Sequence, residues 1–468
     1  MNELLGKLRA IVGDDGALDD PHDLATYERG WRYGAGRARL AVRPRTTDEV
    51  SRVLAACHVV EARVQPMGAN TGLVGASNPD ATGAMVVLSL ERLARTIEVD
   101  AVDGVALVDA GVTLSALNEA LAPHGLMYPI DLGADPQLGG MIATNTGGTR
   151  LVRYGDVRAN LLGLEVVLAD GTVVSRLTRL RKDNTGLDLK QLFVGTSGLF
   201  GVVTRAVVRV VPKPRQRVAT LACAASGEAV LQLLATLQAS VGELLSAYEA
   251  VSREALAAVL RHGSYERNPF QGAPPAYAVL IELSSALAPE VLDLEGALEA
   301  ALGAHLEGPH ADGIEDVLVG RADDVWHLRH QVSESLREEG AVIGLDLSVP
   351  RSRMAEFTEV VRARLAARFP GVRVADFGHW GDGGTHLNLV HDPALTAADA
   401  GATWKRGVQD FVYSICVDEF DGSFSAEHGV GPHNLAAYER FTHATARDVC
   451  AALRAQLDPH RSLGTFDL

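Results

Sequence analysis

Cysteine is scarce in this chain, with four residues in 468, at positions 57, 223, 416 and 450, and no two form a C-x-x-C pair. In a chain this size they read as buried or incidental thiols, and a reducing, cytoplasmic setting is expected. Positive charge is in deficit. Lys and Arg number 43 against 59 Asp and Glu, for a formal net charge of -16. That balance argues against a nucleic-acid partner and against an anionic membrane surface. It leaves small acidic substrates open, because a basic pocket can sit on an acidic protein. No run of about 18 apolar residues occurs, so no membrane-spanning segment is expected. The opening "MNELLGKLRAIVGDDG" lacks the apolar core of a signal peptide. Internal repeats, low-complexity segments and charge blocks are also missing. What remains is ordinary globular composition, 47% hydrophobic and 22% charged, in a chain long enough for two or three domains.

Several segments announce their structure. "TTDEVSRVLAACHVV" places Glu49 three residues after Thr46, a capping box ahead of a helix. "ARVQ" and "AMVVLSL" read as strands on either side of the loop "PMGANTGLVG". "VALVDAGVTLSALNEALAPHG" reads as a strand, a break at Gly111, and a helix stopped by Pro123 and Gly125. "LEVVLADGTVVS" reads as a hairpin with Asp170-Gly171 as a two-residue turn. "GVVTRAVVRVVPKP" is a strand ended by Pro212 and Pro214. The texture then changes. Residues 226–260 and 286–305 read as helices separated by a strand, "AYAVLIEL"; "RNPFQGAPP" (267–275) is a loop. "DDVWHLRHQVSESLREEG" is a helix with Arg329 and Ser333 on one face, and "LDLSVP" is a strand closed by Pro350. The expected division is a domain over 1–215, a second α+β domain over 216–410, and a C-terminal segment over 411–468 that returns to the first.

Two glycine-rich stretches stand out. "PMGANTGLVG" (66–75) sets Asn70 and Thr71 among Gly68, Gly72 and Gly75. Such a loop can turn several backbone N–H groups toward one point and hold phosphates. It matches neither the P-loop nor G-x-G-x-x-G before a helix, and a plain surface turn is the alternative. "DLGADPQLGGMIATNTGGTR" (131–150) has Gly139, Gly140, Gly147 and Gly148 around Thr144, Asn145 and Thr146. A long run of small residues suggests close approach of backbone to something flat or phosphorylated. In "GHWGDGGTHLNLV" (378–390), His379 and His386 lie seven residues apart, but the four glycines make a helix there unfavourable. A structural or surface histidine pair is one reading. "SAEHGVG" (425–431) adds Glu427 and His428. Two imidazoles and one carboxylate form a common ligand set for a catalytic divalent metal, with His428 left over as a candidate base; a solvated turn is the alternative. Asp382 and Asn388 are either supporting partners or turn residues.

Together these motifs resemble the flavin-dependent dehydrogenases with the vanillyl-alcohol-oxidase type of FAD domain. They look most like the branch that holds D-2-hydroxyglutarate, D-lactate and glycolate dehydrogenases. The resemblance runs from about residue 40 to 465 through "PMGANTGLVG", "DLGADPQLGGMIATNTGG", "RYGDVRANLLGLEVVLADG", "LRKDNTGLDLKQLFVGTSG", "HWGDGGTHLN" and "SAEHGVG". It implies an α+β fold: a two-subdomain FAD-binding domain plus an α+β substrate domain of the FAD-linked oxidase C-terminal kind. It further implies that Pro66, Gly68, Ala69, Asn70, Thr71, Gly72, Leu73 and Val74 wrap the FAD pyrophosphate. Pro136, Gly139, Gly140, Thr144 and Gly147 would line the flavin and its ribityl chain, with FAD bound non-covalently because the first loop has no histidine. His379, His386 and Glu427 would hold a divalent metal, expected to be zinc, and His428 would take the substrate hydroxyl proton. Arg329 and Ser333 match positions that bind the substrate carboxylate, and Asn388 one that faces substrate. The expected partners are a small D-2-hydroxy acid, an unidentified electron acceptor and a second copy of the chain. Ala69, Ser197, Gly384 and Gly464 depart from the family pattern. So does Gly344, where D-2-hydroxyglutarate dehydrogenases carry a substrate-binding lysine. The competing reading is a non-catalytic FAD-binding subunit of a larger oxidase.

Overall fold

The computed structural model of the protein describes residues 2–264, 268–270, 272–396 and 401–468. Of the loop expected over 267–275, Arg267 and Gln271 lie outside them. The described chain forms two compact units. The first is built from Met1–Gly148, Gly155–Lys213 and Glu427–Leu468, and the second from Thr149–Tyr154 and Pro214–Ala426.

The first unit holds two main sheets. In the four-stranded sheet, Ala17–Leu18, Ala38–Val42, Met85–Ser89 and Val64–Met67 follow in that order. The last three are parallel. Pro66 fits because its strand lies at the edge of that sheet, where a missing N–H costs least. The five-stranded sheet is antiparallel, in the order Ile97–Asp100, Val105–Asp109, Val202–Arg209, Leu161–Val167, Val173–Arg176. Helix Thr47–Val59 begins as its capping box requires. The Thr46 hydroxyl accepts from the Glu49 N–H at 3.1 Å, and the Glu49 carboxylate accepts from the Arg45 N–H at 2.6 Å. Such a cap contributes about 1 kcal/mol. The helix buries Val50, Val53, Leu54 and Cys57 in the unit's main core.

Two details depart from the sequence reading. The 161–176 hairpin forms, but its turn is wider than two residues: Leu168 N–H donates to Thr172 O at 2.9 Å, so three residues cross over. Asp170 is the reason. Its carboxylate accepts from both the Thr172 N–H, at 2.8 Å, and the Thr172 hydroxyl, at 3.0 Å. That closes an Asx turn, with Gly171 at φ +89° supplying the left-handed step. Likewise the long strand stops at Arg209, before Pro212. Pro212 ends a separate two-residue strand, Val211–Pro212, paired with Leu126–Met127.

The second unit is a seven-stranded, wholly antiparallel sheet. Its order is Ile314–Val319, Gln216–Ala224, Tyr277–Ser285, Leu245–Ser252, Arg373–Gly378, Gly384–His391, Ala341–Ser348. Helices Gly227–Val241, Arg253–His262, Leu294–Leu306, Ala322–Glu338 and Met354–Arg368 accompany it. The segment read as one helix over 226–260 is two helices with the strand Leu245–Ser252 between them. Every residue of that strand is buried, so it lacks the alternation by which half-exposed strands are recognised.

Cys57, Cys223 and Cys416 are buried. Burial pushes the Cys57 and Cys416 thiols up to about 12 and that of Cys223 up to about 11. A protonated, enclosed thiol is a poor nucleophile. Iodoacetamide at neutral pH should therefore modify no more than Cys450 in the native protein and all four residues in denaturant, as read by intact mass. Labelling of two or more native thiols would contradict this packing.

Candidate active site

In the first unit the two glycine stretches meet. A Cβ built on Gly68 would lie 3.4 Å from Gln137 Oε1 and 3.7 Å from Gly140 Cα. The 66–75 loop leaves strand Val64–Met67 and is pinned by Asn70, in the left-handed region at φ 56°. Its amide donates to Arg29 O at 2.8 Å and accepts from the Ser77 hydroxyl at 2.7 Å. Ala69 and Gly72 are exposed, Pro66, Gly68, Thr71 and Leu73 half-buried, and Val74 buried.

The second stretch forms the short helix Leu138–Thr144. The N–H groups of Leu138 and Gly139 donate to Val112 O and Ala110 O, at 2.9 and 2.8 Å. Pro136 O accepts from Leu114 N–H at 3.0 Å, which fixes the approach to the helix. The two neighbouring glycines do different work. A Cβ on Gly139 would come within 2.8 Å of Ala110 Cβ, so Gly139 permits close packing; on Gly140 it would meet nothing within 4 Å. Thr144 hydroxyl contacts Gly140 O at 3.1 Å and the Thr146 hydroxyl at 2.8 Å, and Gly147 is buried. Gln137 was not singled out in the sequence. Its Oε1 is buried and has no hydrogen-bond partner among the described residues.

Glu427 also belongs to this unit, where its Oε1 accepts from the Gly148 N–H at 2.9 Å. It opens a turn that Asn434 fastens, accepting from Gly431 N–H and donating to Gly429 O, both at 2.9 Å. The Ser197 hydroxyl adds a bond to Val430 O at 2.9 Å. His428 is half-buried on this turn.

In the second unit the histidines are brought together by a hairpin. His379 lies in the turn after strand Arg373–Gly378, and His386 lies on strand Gly384–His391, opposite Phe377. The turn closes through Gly384 N–H to His379 O at 3.0 Å and to Asp382 Oδ1 at 2.9 Å, so Asp382 acts as a turn residue. Trp380, fully buried, anchors the turn against Tyr277. The two imidazole Nε2 atoms end 3.2 Å apart. Asn388 follows His386 by two residues and so shares its face of the strand. Asp346 stands opposite His386 and Gly344 opposite Asn388. Arg329, on helix Ala322–Glu338, is buried with its guanidinium 4.5 Å from the Phe377 ring centroid. Ser333, one turn on, is exposed.

The link between these groups was missed in the sequence. Glu249, on the misread strand, is 1% exposed at its side chain. Its Oε1 lies 2.5 Å from His379 Nδ1, and its Oε2 accepts from Arg329 Nε at 2.7 Å. Burial pushes its carboxyl up, but the His379 and Arg329 charges outweigh that and bring it down to about 2. An acidic residue inside an otherwise apolar stretch, "LLSAYEAV", was the available signal.

The protein's class follows from matches to known families. Residues 38–176 match the model of the FAD binding domain, and residues 213–465 that of the FAD linked oxidases, C-terminal domain. The solved structure of alkyldihydroxyacetonephosphate synthase has the same fold, with a TM-score of 0.71 at 15% identity, over 99% of this chain and 84% of that one. The mitochondrial D-2-hydroxyglutarate dehydrogenase of Bos taurus is 37% identical over 457 residues, 96% of this chain and 80% of the relative. A putative mitochondrial D-lactate dehydrogenase of Schizosaccharomyces pombe is 33% identical over 443 residues, 90% and 82% respectively. The chain belongs to the FAD-linked oxidoreductases of the vanillyl-alcohol-oxidase type, in the branch of the D-2-hydroxyglutarate and D-lactate dehydrogenases. The relatives are mitochondrial by name, which lends no support to the cytoplasmic setting expected above. Among the described residues no helix is long and apolar enough to cross a membrane.

Proposed function

We propose that this protein oxidises a D-2-hydroxy acid to the 2-oxo acid, passing hydride to non-covalent FAD at a site that also holds a divalent metal, with zinc the best fit. The observation that carries the reading is the histidine pair. Two nitrogens about 2.0–2.1 Å from one zinc ion at the tetrahedral angle stand roughly 3.3 Å apart, and His379 and His386 present theirs at 3.2 Å. Glu427 is the third ligand in this reading. The residue before it, Ala426, donates its N–H to Asp346 O at 3.2 Å, and Asp346 stands opposite His386. The FAD pyrophosphate and ribityl chain are assigned to the segments 66–74 and 136–147. The cradle suits a flat, phosphorylated ligand: Gly72 and Gly140 border open space, and Gln137 Oε1 is buried without a partner.

When bound, the flavin supplies a hydride acceptor and the metal a Lewis acid that makes the substrate hydroxyl more acidic. The chain's own residues do the rest. Arg329 spends Nε on Glu249 and keeps its four terminal N–H donors for the substrate carboxylate, a charge-assisted contact that orients the acid. Ser333 and Asn388 add hydroxyl and amide contacts at the edges of the substrate. A ring nitrogen of His428 takes the hydroxyl proton as the Cα–H leaves. Gly344 offers no side chain opposite Asn388, so a second carboxylate on the substrate gains no ammonium partner there.

The test is anaerobic addition of D- and L-2-hydroxy acids to the purified, zinc-replete protein while the visible flavin band is followed. The D series alone should bleach it, with monoacids reducing the flavin at least as fast as diacids. No bleaching by any acid, with flavin and zinc present, would sink the mechanism and leave a non-catalytic FAD-binding subunit.

A further inference from the structure

We propose that Glu249 is a positioning residue of this site, one carboxylate that fixes the tautomer of His379 and the placement of Arg329 together; its consequence for metal binding rests on the function proposed above. Glu249 sits within strand Leu245–Ser252, between strands Tyr277–Ser285 and Arg373–Gly378. One oxygen faces His379 Nδ1 at 2.5 Å and the other faces Arg329 Nε at 2.7 Å. Both partners are also largely enclosed, with side-chain exposures of 7% and 10%.

Donor and acceptor chemistry sets the consequence. An ionised carboxylate has no hydrogen to give, and Arg329 Nε has no lone pair to offer. So His379 must donate from Nδ1. A neutral His379 then carries its lone pair on Nε2, the atom turned toward His386 Nε2. A free imidazole has no such constraint, and the wrong tautomer would put a hydrogen where a ligand lone pair is needed. A carboxylate behind a ligating histidine fixes the tautomer and ring orientation and raises the basicity of the other nitrogen. The same two oxygens tie Arg329 to that imidazole. The span between the group that recognises the substrate acid and a ligand of the proposed metal is therefore set by one side chain.

A buried ion pair with a purely structural role makes a different forecast. Well-packed apolar residues commonly replace such pairs at no loss of stability. Here the forecast turns on acceptor count. In Glu249→Gln the side chain keeps its shape but has one acceptor oxygen and one NH2 group facing two donors. With the oxygen on Arg329, the NH2 donates to His379 Nδ1 and the ring proton moves to Nε2. With the oxygen on His379, the NH2 would face the Arg329 Nε–H, donor against donor beside a buried cation, so the first arrangement is the expected one.

The experiment has two readings on the flavin-loaded protein. The first is 15N NMR of histidine-labelled, metal-stripped protein at a pH where the His379 ring is neutral, with His379→Asn used for assignment. Wild type should show His379 as the Nδ1–H tautomer, and Glu249→Gln should shift it toward Nε2–H. A wild-type Nε2–H tautomer overturns the proposal and needs no variant to fold. An unchanged tautomer in Glu249→Gln also overturns it. The second reading is titration with Zn2+ alone against a competing chelator dye. Glu249→Gln should bind about 10- to 100-fold more weakly than wild type, with Glu249→Asp, which keeps the charge, in between. Equal zinc affinity in wild type and Glu249→Gln overturns the proposal. Wild type that binds no zinc overturns the metal assignment instead, and the tautomer reading still decides the role of Glu249.

Discussion

Replacing His428 by asparagine should slow flavin reduction by the D-2-hydroxy acid by about 10²- to 10⁴-fold, the range associated with a positioned general base. The flavin should stay bound and the fold intact. His428 lies half-buried on a turn whose geometry is held by other residues: Asn434 bonds Gly431 and Gly429, and Ser197 bonds Val430. Asparagine keeps a compact polar side chain there but has no basic nitrogen. A stopped-flow anaerobic half-reaction isolates the step, because it excludes the electron acceptor and reads the first reduction of the flavin. The pH profile adds a second signature. A base acts in its unprotonated form, so the wild-type rate should fall in acid, and the variant should lose that dependence. A variant that reduces flavin within threefold of wild type at every pH would move the base role to another group.

Local signals were legible wherever one face of an element meets solvent or a cap is needed. The Thr46 capping box, the strand before the first glycine loop and the αL stop at Gly125 could all be read from a few neighbouring residues. The histidine hairpin was legible as a non-helix because the 378–390 stretch holds four glycines. The failures share a cause as well. Strand Leu245–Ser252 is buried on both faces, and its Leu, Ala and Glu residues are good helix formers, so neither period nor propensity marked it. The site's buried carboxylate went with it. The wider turn at Asp170 depends on a side chain bonding its own backbone, a competition that residue pattern alone does not rank. Gln137 shows the same limit where the two glycine stretches meet. Nothing in "DPQLGG" says that its amide oxygen will be buried beside Gly68, which comes from a distant strand end.

Adjacent glycines give the sharpest separation of fold from cofactor. Valine at 139 should cost the folded protein about 1–3 kcal/mol through overpacking and should leave purified protein largely colourless. The added Cβ alone would lie 2.8 Å from Ala110 Cβ and 3.2 Å from Ala110 O, and Ala110 O already accepts the Gly139 N–H at 2.8 Å. Valine's branched methyls extend the clash, so helix Leu138–Thr144 has to lift from the end of strand Val105–Asp109. At position 140 a Cβ meets nothing within 4 Å, so valine there should leave stability near wild type. Under the proposed assignment that open space is the cofactor's, and Gly140→Val should still lose most of its flavin. The ratio of visible to ultraviolet absorbance gives occupancy, and denaturant unfolding gives stability. Both variants should lose colour, but only Gly139→Val should lose stability in the flavin-free form. A Gly140→Val protein that loads FAD to wild-type stoichiometry would mean that the space beside Gly140 is not where the flavin lies, and the assignment of the 136–147 segment would fall.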